Sequence, residues 1–130
     1  MDTMRIQRLP DAELDVMLVL WAAGTEMKTA AILAELNRTR DWSMSTLQAL
    51  LARLSERGFV RAHTKGRLKY YSPAVSEETY RARETKTFLE RFYKNSWKDL
   101  FASLVSTQHI TAEDIQELEE LIKQEGHKND

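Results

Sequence analysis

The sequence has no cysteine. Disulfides and every thiolate metal site are thereby excluded, and cysteine usage carries no sign of secretion. Glycine is scarce, with four in 130 residues. Each falls where a pattern stops or turns: Gly24, Gly58 and Gly126 after helical stretches, Gly66 between two strand-like ones. None remains to build a Gly-rich phosphate cradle. The longest apolar run, Val16 to Gly24, is too short for a bilayer, which needs about 20 residues. The opening stretch through Met17 carries charges throughout, so it has no signal-peptide core, and a soluble, cytoplasmic protein is expected. His63, His109 and His127 are the only histidines, and no two stand at i, i+3 or i, i+4, so no metal site is expected. There is no nucleophile motif with a companion base. The absences together argue against an enzyme and against any cofactor.

What is present is concentrated between Asp41 and Ser72. Ser43 is a good helix N-cap, able to take up an orphan N–H of the first turn. Leu47, Leu50, Leu51 and Leu54 follow at i, i+3, i+4, i+7 and make one continuous apolar face. Gly58 suits the left-handed conformation of a C-terminal cap. Opposite the leucines lie Ser45, Thr46, Gln48, Ala49, Ala52 and Arg53, which are small, hydrogen-bonding or cationic. A solvated helix usually carries Glu and Lys there; a helix entering a DNA groove needs small groups and hydrogen-bonders. After Gly58 the period drops to two. Phe59 to Thr64 and Leu68 to Ser72 read as strands joined by Lys65-Gly66-Arg67, a hairpin with a cationic tip. A helix followed at once by such a hairpin is the winged helix-turn-helix pattern, in which the tip can reach phosphates beside the groove the helix enters.

The net charge of −1 conceals an asymmetry. Arg38, Arg40, Arg53, Arg57, Arg61, Lys65, Arg67 and Lys69 face only Asp41 and Glu56 within 38–72, a local net of +6. Residues 111–130 hold seven acids against Lys123 and Lys128, a local net of −5. One end is suited to an anion and the other to staying clear of it.

Upstream, Pro10 suits the first turn of a helix, with Asp11 and Glu13 complementing its dipole. Its expected core stripe is Leu14, Met17, Leu18 and Trp21. Thr25 to Lys28 read as a short extended link to a third strand. Thr29 is the expected cap of a second helix, with Ile32, Leu33 and Leu36 as its apolar face. Downstream of Pro73, helices are expected from Ser76 to Tyr93, over Trp97 to Val105, and from Thr111 to a stop at Gly126. The fold class expected is mainly α with a small β-wing. A winged-helix domain over 1–74 is followed by a helical dimerisation domain over 75–130. Phe88, Phe92, Trp97, Leu100, Phe101, Leu104, Ile115, Leu118 and Ile122 exceed what three helices can bury alone, which points to a homodimer.

These residues resemble the BlaI/MecI-type penicillinase repressors, relatives of the CopY repressors. The resemblance runs through L-P-D-A-E-L-D-V-M-L-V-L-W at 9–21, D-W-S-M-S-T-L-Q-A-L-L-A-R-L-S-E-R-G-F-V at 41–60, K-Y-Y-S-P at 69–73 and D-I-Q-E-L-E-E-L-I at 114–122. It implies a dimeric repressor of antibiotic-resistance or related stress genes, with palindromic operators on double-stranded DNA. DNA-facing positions would be Ser43, Ser45, Thr46, Gln48 and Arg53, with wing cations at Lys65 and Arg67. Ser45 and Gln48 depart from staphylococcal members, which carry cations there; Gln favours adenine edges where Arg favours guanine. The family also implies induction by a sensor-linked protease that cuts an Asn–Phe bond in the dimerisation domain, which aligns with Ser103-Leu104. Copper release of the CopY kind needs a cysteine cluster and is excluded. Two other readings stay open: a ligand-responsive winged-helix regulator, and a dimeric interaction module that has lost DNA binding.

Overall fold

The computed structural model describes residues 8–128, without the side chains of the last two. The charges expected on Met1 to Gln7, and Asp130 of the acidic tail, lie outside that range. Contacts divide the chain into two compact units, the first ending at Glu84 and the second beginning at Thr85.

The first unit contains α1 (Asp11–Ala23), β1 (Met27–Lys28), α2 (Thr29–Leu36), α3 (Met44–Glu56), β2 (Val60–Lys65), β3 (Leu68–Pro73) and the start of α4 (Glu77–Tyr93). The strands form one antiparallel sheet in the order β1-β3-β2. Three helices and this sheet are the winged-helix arrangement, with the third strand formed by Met27 and Lys28 against Tyr71 and Tyr70.

The leucine stripe of α3 is the centre of the core. Leu47, Leu51 and Leu54 are fully enclosed and Leu50 nearly so, packed with Val16, Met17, Leu20, Ile32, Leu36, Phe59, Val60 and Tyr71. Both ends of α3 are closed by the groups the sequence offers. Ser43 accepts from the Thr46 N–H at 3.2 Å. At the other end Gly58 takes φ +80°, Phe59 N–H donates to Leu54 O at 2.8 Å and Gly58 N–H to Ser55 O at 3.1 Å. This is the six-to-one and five-to-two pair of a Schellman cap.

α1 differs from its expected face. The enclosed residues are Glu13, Val16, Met17 and Leu20, whereas Leu18 is 45% exposed and Leu14 and Trp21 are only half-buried. This helix is apolar almost all round, so spacing alone could not choose a face. The choice is made by Glu13, which does not sit in solvent beside the helix dipole. It is buried against Arg57 at the end of α3, with Arg57 Nη1 donating to Glu13 Oε1 at 2.8 Å. Two helix starts also shift by one residue. Pro10 stands just before α1, and Thr29 is the first residue of α2 rather than its cap, with Lys28 in the cap position making no side-chain bond.

The first unit continues past the boundary expected at 74/75, because the first turns of α4 pack onto it. Tyr80 is buried; its ring lies 5.7 Å from Trp21 and 5.9 Å from Phe59, and its hydroxyl accepts from Leu9 N–H at 2.9 Å. Trp21 Nε1 in turn donates to Val75 O at 2.9 Å. Burial raises the Tyr80 hydroxyl above its ordinary pKa, partly opposed by the bond from Leu9.

The second unit contains the rest of α4, α5 (Trp97–Ser106) and α6 (Ala112–Lys128). α4 stops where Lys94 and Asn95 both take positive φ. Ser96 then caps α5 by accepting from Asp99 N–H at 3.2 Å. Thr111 and Asp114 form a reciprocal capping box at the start of α6, with Asp114 N–H to Thr111 Oγ1 at 3.1 Å and Thr111 N–H to Asp114 Oδ2 at 2.9 Å. Gly126 is not a stop: α6 runs through it to Lys128.

Candidate nucleic-acid interface

The exposed side of α3 follows from the burial of its leucines. With those four turned inward, Ser45, Thr46, Gln48, Ala49, Ala52 and Arg53 are all exposed. Ser45 and Thr46 hydroxyls each lie 3.0 Å from Ser43 Oγ, so three hydroxyls cluster at the N-terminus of the helix. No acid stands on the helix before Glu56. The approach to α3 is fixed by a residue that the sequence did not single out. Asn37 clamps the connection to Trp42 in both directions, its Oδ1 accepting from Trp42 N–H and its Nδ2 donating to Trp42 O, each at 2.9 Å.

The hairpin turns through two residues, Gly66 and Arg67, since Lys65 pairs with Leu68. Gly66 takes φ +65° at the first turn position, where a type II′ hairpin requires it. Lys65 therefore belongs to β2 rather than to the tip. Arg67 is at the tip, and Lys69 lies one residue into β3.

The eight cations of this region divide evenly. Arg40 pairs with Asp15 at 2.6 Å and lies 5.5 Å from the centre of the Trp42 ring. Arg57 pairs with Glu13, Arg38 with Glu35 at 3.5 Å, and Lys65 with Glu26. Arg53, Arg61, Arg67 and Lys69 make no ion pair among the described residues. The charge excess read from the sequence thus resolves, among the described residues, into four ion-paired cations and four without an ion pair on α3 and the wing, of which Lys69 lies 6.0 Å from the centre of the Tyr71 ring.

Glu26 is the other residue missed. Its carboxylate accepts from both His63 Nε2 and Lys65 Nζ. The same cluster includes Tyr70, stacked on His63 with centroids 6.2 Å apart and lying 5.1 Å from the Lys65 ammonium. The bond from Lys65 is the largest influence on Glu26 and holds its carboxyl below the usual range, with His63 assisting and desolvation opposing. The same bond raises the Lys65 ammonium. The partners are 37 and 39 residues apart in the chain, so no local pattern could have announced them.

The second unit encloses no side chain fully among its described residues. Phe88, Phe92, Trp97, Ile115 and Ile122 are exposed, Phe92, Trp97 and Ile122 by 60% or more, while Leu100, Phe101, Leu104 and Leu118 are half-buried. Phe88 meets Phe92 at 5.1 Å and Trp97 meets Phe101 at 6.0 Å. Between α5 and α6 runs an open groove of about 360 Å³ with a wholly apolar lining that includes Trp97, Phe101, Ile115 and Ile122. Ser103 and Leu104 are half-buried inside α5. Ser103 O accepts from Thr107 N–H at 3.0 Å, and Leu104 O accepts from His109 N–H at 2.9 Å. Among the described residues there is no helix long and apolar enough to cross a membrane and no cluster of three potential metal ligands.

Comparison with known proteins agrees with this geometry. Residues 9–124 match the family model described as penicillinase repressor. A penicillinase repressor of Bacillus licheniformis is 33% identical over 125 residues, covering 96% of this chain and 95% of the relative. The methicillin resistance regulatory protein MecI of Mammaliicoccus sciuri is 27% identical over 118 residues, covering 88% and 92%. The solution structure of the DNA-binding domain of the repressor BlaI superposes with TM-score 0.52 at 37% identity, over 58% of this chain and 92% of that one. The B. licheniformis BlaI monomer in complex with the blaP half-operator gives TM-score 0.50 at the same identity and coverage.

Proposed function

The chain belongs to the penicillinase repressor family, a family of DNA-binding transcriptional repressors and not of enzymes, and on that premise we propose that it represses transcription as a cytoplasmic homodimer bound to a palindromic operator. The observation that carries the reading is the exposed face of α3, acid-free and hydrogen-bonding from Ser45 to Arg53, directly followed by a hairpin with a free arginine at its tip. In this reading α3 enters the major groove. Ser43, Ser45 and Thr46 hold phosphate oxygens at the helix N-terminus, where the backbone dipole favours an anion. Gln48 reads a base edge, with adenine preferred. Arg53, Arg67 and Lys65 meet backbone phosphates.

Dimerisation uses the apolar surface of α4, α5 and α6. A monomer exposing Phe92, Trp97 and Ile122 to this extent pays a large hydrophobic penalty, and a second copy removes it. Two copies then present two α3 helices to half-sites about one helical turn, roughly 34 Å, apart. The MecI and penicillinase repressor names attach those relatives to antibiotic resistance, and this chain is assigned to genes of that kind. Induction proceeds by a sensor-linked protease cutting at or beside Ser103-Leu104. That bond lies within the hydrogen-bonded last turns of α5, so cutting follows local opening of the helix.

The test is anisotropy titration of labelled duplex from upstream of the gene against a scrambled duplex across a salt series, with light scattering for mass. Preference for one sequence, a steep salt dependence and a dimer mass are expected. Equal, weak binding to both duplexes would leave an interaction module as the better reading, and an intact chain in fully induced cells by mass spectrometry would remove proteolysis.

A further inference from the structure

We propose that Glu26 is a counter-ligand built into the wing: its carboxylate holds the Lys65 ammonium in the free protein, offsets its charge and competes with a DNA phosphate for it, so that it limits sequence-independent affinity. The inference rests on the DNA-binding reading above and concerns how the wing takes part in it.

Lys65 is the one wing cation of the proposed interface that is already satisfied. Arg67 and Lys69 make no ion pair among the described residues, whereas Lys65 is held by Glu26 Oε1; Lys65 and Lys69 each lie over a tyrosine ring, Tyr70 and Tyr71. Glu26 comes from the residue before β1, on the other side of the central strand β3, and reaches across it. The second oxygen accepts from His63 Nε2, and His63 stacks on Tyr70. Both carboxylate oxygens are therefore engaged, and the Glu26 side chain is only 24% exposed while Lys65 remains 60% exposed. An anchored carboxylate faces a cation that is open to solvent on its far side. The carboxylate plays the part of a phosphate: it presents acceptor oxygens and a negative charge to the same ammonium. DNA binding at this cation is then a competition between two anions for one ammonium, not the capture of a free charge. The carboxylate would stay near the duplex and repel it. Arg67 and Arg53, which have no such partner, supply contacts without this competition.

Substituting Glu26→Gln keeps the shape and one acceptor oxygen and removes the charge. Lys65 then contributes a full phosphate contact. Since log K falls with log salt by about 0.9 per phosphate contact, one more contact steepens the slope by about that amount and raises affinity about fivefold at roughly 0.15 M salt. The gain is the same on operator and scrambled duplex, so discrimination between them is unchanged. A role in folding alone would not steepen the salt slope.

The experiment titrates full-length dimers of wild type, Glu26→Gln, Lys65→Ala and the double variant against both duplexes from low to high salt, with thermal melts confirming that all four are folded. The expected result is tighter, more salt-sensitive binding by Glu26→Gln that disappears in the Lys65→Ala background. Wild type binding DNA while Glu26→Gln binds equally or more weakly overturns the proposal alone. An equal gain with and without Lys65 also overturns it, by showing that the carboxylate acts only through bulk charge. No duplex binding by any of the four overturns both this inference and the DNA-binding reading beneath it.

Discussion

Arg57→Ala is the most informative single change to the fold, because the two partners of its ion pair are unequally buried. The Glu13 side chain is 1% exposed and that of Arg57 36%. Removing Arg57 leaves a carboxylate inside the core with no counter-charge, a defect that costs about 3–5 kcal/mol. Removing Glu13 leaves a guanidinium at the C-terminal end of α3 that can turn to water, so Glu13→Ala costs less, about 1–2 kcal/mol, mainly from a lost charged hydrogen bond and a small void. In a domain of this size each kcal/mol moves the midpoint by about 4–8 °C, so Arg57→Ala lowers Tm by at least about 12 °C. Replacing both at once, Glu13→Leu with Arg57→Met, recovers most of the loss, because well-packed apolar side chains avoid the desolvation of either charge. Urea and thermal unfolding of the four proteins in a chain ending at Glu84 rank their stabilities directly. If Glu13→Ala proves as costly as Arg57→Ala, or the double variant is the least stable of the four, the argument from unequal burial is refuted.

Four further outcomes are expected. Arg53→Ala should weaken binding to operator and scrambled duplex alike and flatten the salt slope by about 0.9, read by anisotropy; a loss confined to operator would make Arg53 a base reader. Gln48→Ala should lose about 1–3 kcal/mol of discrimination at one base pair per half-site, seen by titrating single-substituted operators. A chain cut after Ser76 should be less stable by about 3–5 kcal/mol than one cut after Glu84, since it lacks the Tyr80 ring and its bond to Leu9, and chemical denaturation measures the difference. Backbone and side-chain bonds from Thr111 hold the Asp114 carboxyl below its ordinary range. A depressed acid stabilises the fold above its unfolded pKa and loses that contribution as pH falls through the folded value. Acid should therefore fray the start of α6, and Asp114→Asn should abolish that pH dependence in amide exchange at residues 111–115.

The parts of this molecule that could be read from the chain are those in which cause and effect are sequence neighbours. The leucine stripe of α3, its Ser43 cap, its Gly58 stop and the hairpin at Gly66 all have signals within a few residues; the first three form as expected, and the hairpin turns at Gly66 and Arg67 with Lys65 in β2 rather than at the tip. The inner face of α1 is not legible from spacing, because apolar residues surround the helix and the buried Glu13 finds its partner 44 residues away. Glu26 and Tyr80 share that difficulty: their partners lie across the sheet or at the opposite end of the unit. Gly126 misled for another reason. A glycine after an apolar stripe suggests a stop, but Gly126 does not take the left-handed conformation of a cap, and the helix continues through it to Lys128. By contrast α5 ends in the same hydrogen-bond pattern as α3 without a glycine, Gln108 adopting φ +62° in its place.

The division of α3 into an enclosed leucine face and an outer face has an evolutionary consequence. Gln48, Ala49 and Ala52 are exposed and take no part in the core. Substitutions there that keep helix propensity change stability by no more than about 0.5 kcal/mol. The leucines, the Asn37 clamp and the Glu13–Arg57 pair meanwhile hold the helix at one fixed pitch whatever it carries outside. On the proposed reading of this face, mutation there changes the DNA sequence preferred without passing through an unfolded intermediate. One scaffold can acquire new target genes by a few steps that are silent to the fold, and a genome can hold several copies that differ in address while sharing the same frame.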